Sequence, residues 1–178
     1  MTRRGSSVSA EAESLDETAP RTASVLAEGN LKASLLFVGE SGGATEDMQG
    51  RPFVGPSGQL LGKMIEAMGL RREDVYIVSI ENDAATSCAA ELSRQIQSVQ
   101  PKIVVALGDF AARVLLQTDQ SFTELRGGLK RYATLSVMPT FHPSHLLKTP
   151  EAKREAWADL LVVARELGIT VPKRGGGS

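Results

Sequence analysis

A chain of 178 residues, 42% of them hydrophobic, is long enough for one domain with a real core, and its 20 Lys and Arg nearly cancel its 21 Asp and Glu. At a net charge of −1 no global field draws it to nucleic acid or an anionic membrane, so phosphate binding must come from local basic patches. One cysteine excludes an intramolecular disulfide and a four-cysteine metal site. No apolar run is long enough to cross a bilayer, and none follows Arg3 and Arg4 to make a secretory signal, so a cytoplasmic address is the default.

Residues 1–33, rich in Ser, Thr, Ala and Glu without a sustained period, read as a disordered arm with at most a transient helix over 14–27. A folded domain is expected over 34–169 and a flexible tail over 170–178. Leu35-Leu36-Phe37-Val38 is a continuous apolar run stopped by Gly39, which predicts a strand buried on both faces. Glu40-Ser41-Gly42-Gly43 suits a loop at its carboxyl end, where open α/β sheets place their ligands. In Arg51-Pro52-Phe53-Val54-Gly55 a phenylalanine stands in a loop, and taken alone it reads as a ring tucked over the core.

Leu60, Leu61, Met64, Ile65 and Met68 make a helical stripe, with Ser57 as N-cap and Gly69 as its stop. Residues 75–80 form the second strand, and Ala89, Leu92, Ile96 and Val99 mark a helix closed by Pro101. Residues 102–107 form a third strand ended by Gly108, after which Asp109 caps a helix carrying Phe110, Val114 and Leu115. Arg126-Gly127-Gly128 is a turn, residues 129–135 an edge strand or hairpin, and residues 135–140 the last core strand. Thr149-Pro150-Glu151 opens the final helix, whose inner face is Trp157, Leu160, Leu161, Ala164 and Leu167. Strands alternating with helices give an α/β fold, a three-layer α/β/α sandwich on a mainly parallel sheet.

Phe141-His142-Pro143-Ser144-His145-Leu146-Leu147-Lys148 follows the last strand, which sets His142 on the same rim as Gly39 and Glu40. A hydrogen-bond donor, a carboxylate and an aromatic ring therefore converge. His142 and His145 stand three apart with no third ligand nearby, so no metal site is expected. The plainer alternatives are a His142 ring hydrogen-bonded to a loop carbonyl, and His145 on a helix face.

In order, GE-x-x-G, GRPFVG-x-x-G-Q-LL, R-x-D-VYI, Q-x-x-x-P-K-I-V-V-A-L-G, RG and HPS-x-LL resemble the uracil-DNA glycosylase superfamily, most of all its bacterial and archaeal family 4, over nearly all of residues 35–167. The resemblance implies that a nucleotide is flipped from DNA and its base held in a pocket. It implies that His142 donates to the oxygen of the departing base, a contact on the scale of an oxyanion-hole bond, several kcal/mol. Phe53 would stack on that base, Gly39 and Ser79 would contact it, and the loop with Glu40 would position the water. Ser144 and the basic Arg51 and Lys148 would meet DNA, with Arg126, Lys130 and Arg131 as further candidates.

The departures from the family are specific. Ser79 stands where the family carries an asparagine whose amide reads the uracil edge, and a serine cannot supply the same paired donor and acceptor. Most of the family loop KCRPP-x-NR-x-P is missing between Glu81 and Cys88, and Gly42-Gly43 replaces a Pro-Gly. Cys88 matches one of four cysteines that hold an iron–sulfur cluster in the family; the other three are absent, so no cluster is expected. Two readings follow. One is a degenerate domain that binds DNA or a protein partner, through the domain or its arm, with weak or no uracil excision. The other is an active monofunctional glycosylase of base excision repair, acting on uracil or another damaged base in single- or double-stranded DNA.

Overall fold

The computed structural model describes residues 25–41, 49–81 and 85–173, without the side chains of 85–87. Most of the expected arm, the Gly42-Gly43 pair, residues 82–84 of the shortened loop and the last five residues lie outside the described residues.

Six strands form one sheet in the order β1-β3-β2-β4-β6-β5. Its centre is parallel: β2 (Leu35–Glu40) lies between β3 (Tyr76–Ile80) and β4 (Ile103–Leu107), and β4 pairs with β6 (Leu135–Thr140). The two edges are antiparallel, β1 (Val25–Gly29) on β3 and β5 (Lys130–Tyr132) on β6. The sandwich expected from the sequence is thus present, with its last hairpin at one edge. Every residue of β3 and β4, and all of β2 but Glu40, is buried, as unbroken apolar strands covered on both faces require.

Alternation along the strands sends Leu36, Val38, Val78, Val104 and Ala106 to one face, against α2 (Ala85–Val99) and α3 (Asp109–Leu116). Leu35, Phe37, Ile77, Val105 and Met138 meet Leu61 and Ile65 of α1 (Pro56–Ala67) and Leu160 and Val163 of a long C-terminal helix on the other face. The chain leaves β2 for α1 on one face and leaves the adjacent β4 for α3 on the opposite face. A crevice opens between those two strand ends, the switch point where doubly wound sheets bind ligands. Two shorter helices complete the chain before the last one: α4 (Phe122–Leu125) and α5 (Pro143–Lys148), then α6 (Lys153–Leu167).

Several expectations are corrected. Residues 25–29, expected in the arm, form β1 and pair with β3; a five-residue, half-buried edge strand leaves no period to read. Val171, assigned to the tail, packs against the core beside Ile169. Gly39 does not stop β2 but lies within it, because a Cβ there would stand 2.5 Å from Cζ of Phe53. The N-cap of α1 is Gly55 with Pro56 first in the helix, and Ser57 sits inside it. Gly108, not Asp109, caps α3, at a φ of 94° that favours glycine. A single 3₁₀ turn, Pro150–Ala152, precedes α6, on which Leu161 faces outward.

Candidate active site

Two glycines at adjacent strand ends make room for two rings. Gly39 of β2 lies under Phe53, and Gly108 beyond β4 lies under His142, where a Cβ would approach the histidine Cβ to 3.2 Å. The rings of Phe53 and His142 are 5.5 Å apart, tilted by 31°. Phe53 itself is buried, as the plain reading of its loop predicts, at a positive φ of 53° that a non-glycine residue holds only when its surroundings fix it.

What fixes the Phe53 loop is a clamp that the sequence reading missed. The guanidinium of Arg72 donates to the carbonyls of Pro52 at 2.7 Å and Gly58 at 3.3 Å, on either side of Phe53. Its Nε donates to Glu28 of β1 at 2.9 Å, and Arg51 Nε reaches the other oxygen of the same carboxylate at 2.8 Å. Burial alone would raise the Glu28 pKa; the hydrogen bonds from Arg51 and Arg72 outweigh it and hold the carboxyl below its usual range. Gly58 completes the packing, since a Cβ there would overlap the carbonyl of Phe53 at 1.7 Å. Arg72 opens the R-x-D motif and was visible to that extent; Glu28, inside the supposed arm, carried no signal.

His142 is held at both nitrogens. The Ser144 N–H donates to Nδ1 at 3.0 Å, with Ser144 Oγ 2.7 Å from the same atom. Nε2 lies 3.0 Å from the carbonyl oxygen of Glu40. A carbonyl only accepts and a backbone amide only donates, so the neutral ring carries its proton on Nε2. The ring thus bonds a backbone carbonyl, though that of the last residue of β2 rather than of a loop, and it aims an N–H across the mouth of the crevice. Ser144, expected at a DNA phosphate, turns its amide and its hydroxyl to His142 in this structure.

Ser79 pairs with Gly39 across the sheet and shares a face with Ile77, which packs in the Phe53 cluster. It is fully buried, and its hydroxyl has no hydrogen-bond partner among the described residues. Gly39, Glu40, Phe53, Ser79 and His142 are therefore brought to one rim. Lys148, at the end of α5, lines a cleft beside His142. The other basic candidates are not so placed. Arg51 is engaged by Glu28, and Lys130 and Arg131 pair with Val137 and Ser136, toward the opposite end of β6 from Thr140. Arg126 is half-buried, donating to Glu155 at 2.7 Å and to Asp159 at 3.1 Å, and Asp159 accepts again from Thr140 Oγ1 at 2.7 Å.

An iron–sulfur cluster does not fit the residues present. Cys88, the chain's one cysteine, is buried in α2 against the sheet and its Sγ–H donates to the carbonyl of Glu81 at 3.3 Å. One thiol packed as a small apolar group is no ligand set for a cluster.

The family model for the uracil DNA glycosylase superfamily matches residues 26–161, and the chain belongs to that superfamily. The type-4 uracil-DNA glycosylase of Sulfurisphaera tokodaii is 38% identical over 176 aligned residues, covering 86% of this chain and 78% of the relative. That of Thermotoga maritima is 38% identical over 141, covering 72% and 73%, and that of Archaeoglobus fulgidus 33% over 167, covering 81% and 82%. The match begins at residue 26, inside β1, in keeping with a strand that belongs to the fold.

Proposed function

We propose that the chain is a DNA-binding domain of glycosylase type in which the leaving-group donor persists but the reading of uracil is weakened, so that excision is slow or absent. The observation that carries this is Ser79: a buried hydroxyl without a partner among the described residues, where an amide would offer a paired donor and acceptor. A site that reads its base by hydrogen bonds discriminates strongly, and one that lacks them does not. DNA enters at the rim, a flipped base lies by Phe53, and its oxygen replaces the Glu40 carbonyl as acceptor of the His142 Nε2–H. Glu40 and its loop position the water, and the site works without iron.

The His142 geometry favours a second reading, an active glycosylase for uracil or another damaged base, because the donor is set in the neutral tautomer that a departing base needs. Alkali nicking of single- and double-stranded uracil oligonucleotides separates the two. Little or no cleavage over hours at excess protein is expected. Brisk cleavage that His142→Ala abolishes would replace the first reading with the second.

A further inference from the structure

Beyond His142 the rim widens into a cleft of about 600 Å³, walled on one side by Glu40, Ser41 and His142. Three of the chain's five phenylalanines, Phe110, Phe122 and Phe141, line it, each partly exposed. The other two, Phe37 and Phe53, are buried. His145 stacks on Phe141 with ring centroids 5.0 Å apart and 18° between planes, and Phe122 meets the same ring edge-on at 5.7 Å. The Arg126 guanidinium also lies over Phe141, 4.3 Å from the ring centroid, which ties the ring to the ion pairs on α6. Half-exposed flat rings in a cleft, with an exposed lysine, Lys148, at the edge, are the elements of a base-stacking platform.

We propose that this cleft is a second nucleobase subsite, which takes a base adjacent to the nucleotide held at His142. The proposal rests on the DNA reading above and deepens it. The cleft shares Glu40 and His142 with the first site, so one strand runs through both. Its volume falls in the range of small-molecule pockets, roughly 300–1,000 Å³. The base stacks against His145 and the phenylalanines, and Lys148 meets the phosphate between the two nucleotides. Recognition is by the π-face, hence indifferent to base identity, and a single strand is preferred because the adjacent base must leave its own stack.

The test uses the full chain and thymidine 11-mers with a central 2′-fluoro-2′-deoxyuridine, which resists cleavage. Each neighbour is replaced in turn by 2-aminopurine or by an abasic unit. One neighbouring position should show quenched 2-aminopurine fluorescence, and an abasic unit there should weaken binding about fivefold or more. His145→Ala should weaken the intact oligonucleotide by a similar factor with unchanged melting temperature, and His145→Phe should restore it. Phe110→Leu, which keeps an apolar filling but removes a ring, should reduce the quenching. Binding by wild type that neither an abasic unit nor His145→Ala changes by twofold overturns the second subsite while leaving the DNA reading intact. Absence of binding to every oligonucleotide overturns both.

Discussion

Ser79 and Gly39 face each other across β2 and β3, and between them they set how much room and how much polarity the base pocket has. An unmatched buried hydroxyl costs about 1–3 kcal/mol, so the site holds a polar atom with its hydrogen bond still to be made. Ser79→Asn should raise uracil excision more than any other single change, up to about four decades if the amide reaches the uracil edge. Single-turnover cleavage of single-stranded uracil DNA measures it, and a folded variant with no gain would place the defect elsewhere in the pocket. His142→Ala in the same background should remove roughly 10²–10³ of the gained rate by taking away the Nε2 donor.

The element that most affects the site from a distance is β1. Through Glu28 it anchors Arg72, and through Arg72 both ends of the Phe53 loop. Glu28→Gln should cost about 1.5–3 kcal/mol of stability, as expected for hydrogen bonds to charged groups, and should speed amide exchange in residues 50–58. The Glu28 carboxyl has its folded pKa lowered, so its contribution is full above the ordinary carboxylate value of 4.5 and is lost as pH falls through the folded value. Protection of the loop amides, taken relative to their intrinsic exchange rates, should therefore fall on acidification below about pH 4.5 in the wild type, with no such step in Glu28→Gln; hydrogen exchange against pH reads both. On the other side of the rim, Arg126→Ala should destabilise by about 3 kcal/mol, because it leaves Asp159 buried without its cation. Denaturant unfolding checks this, and Arg126→Leu with Asp159→Leu should lose less.

At the scale of the whole molecule, near-neutral charge and internally paired arginines limit the electrostatics of DNA binding. Each phosphate neutralised adds a slope of about −0.9 in log K against log salt, and with Lys148 as the main cation at the rim the slope should stay near −1 to −2. A salt titration of single-strand binding measures it, and a slope steeper than about −4 would point to an arginine or lysine surface outside this rim. Purified protein should be colourless and contain no stoichiometric iron, since Cys88 is packed as a core side chain. Among the described residues no helix is long and apolar enough to cross a membrane.

Much of the fold was legible because its central strands are unbroken apolar runs and its helices carry stripes, patterns that burial imposes on the sequence itself. The convergence of Gly39, Glu40 and His142 followed from strand direction alone, since parallel strands deliver their carboxyl ends to one rim. Three things were decided only in three dimensions. Residues 25–29 are a strand because β3 offers them an edge, a contact between segments some fifty residues apart that no local period records. Gly39 looks like a strand stop and is not one, Gly108 does end β4, and both are gaps shaped for Phe53 and His142, a matter of which side chain arrives from elsewhere. Arg51 and Arg126 look like phosphate ligands, yet their partners are carboxylates 23 and 33 residues away, Glu28 and Asp159. Charge is written in the sequence; which opposite charge neutralises it depends on distances that only the folded chain sets.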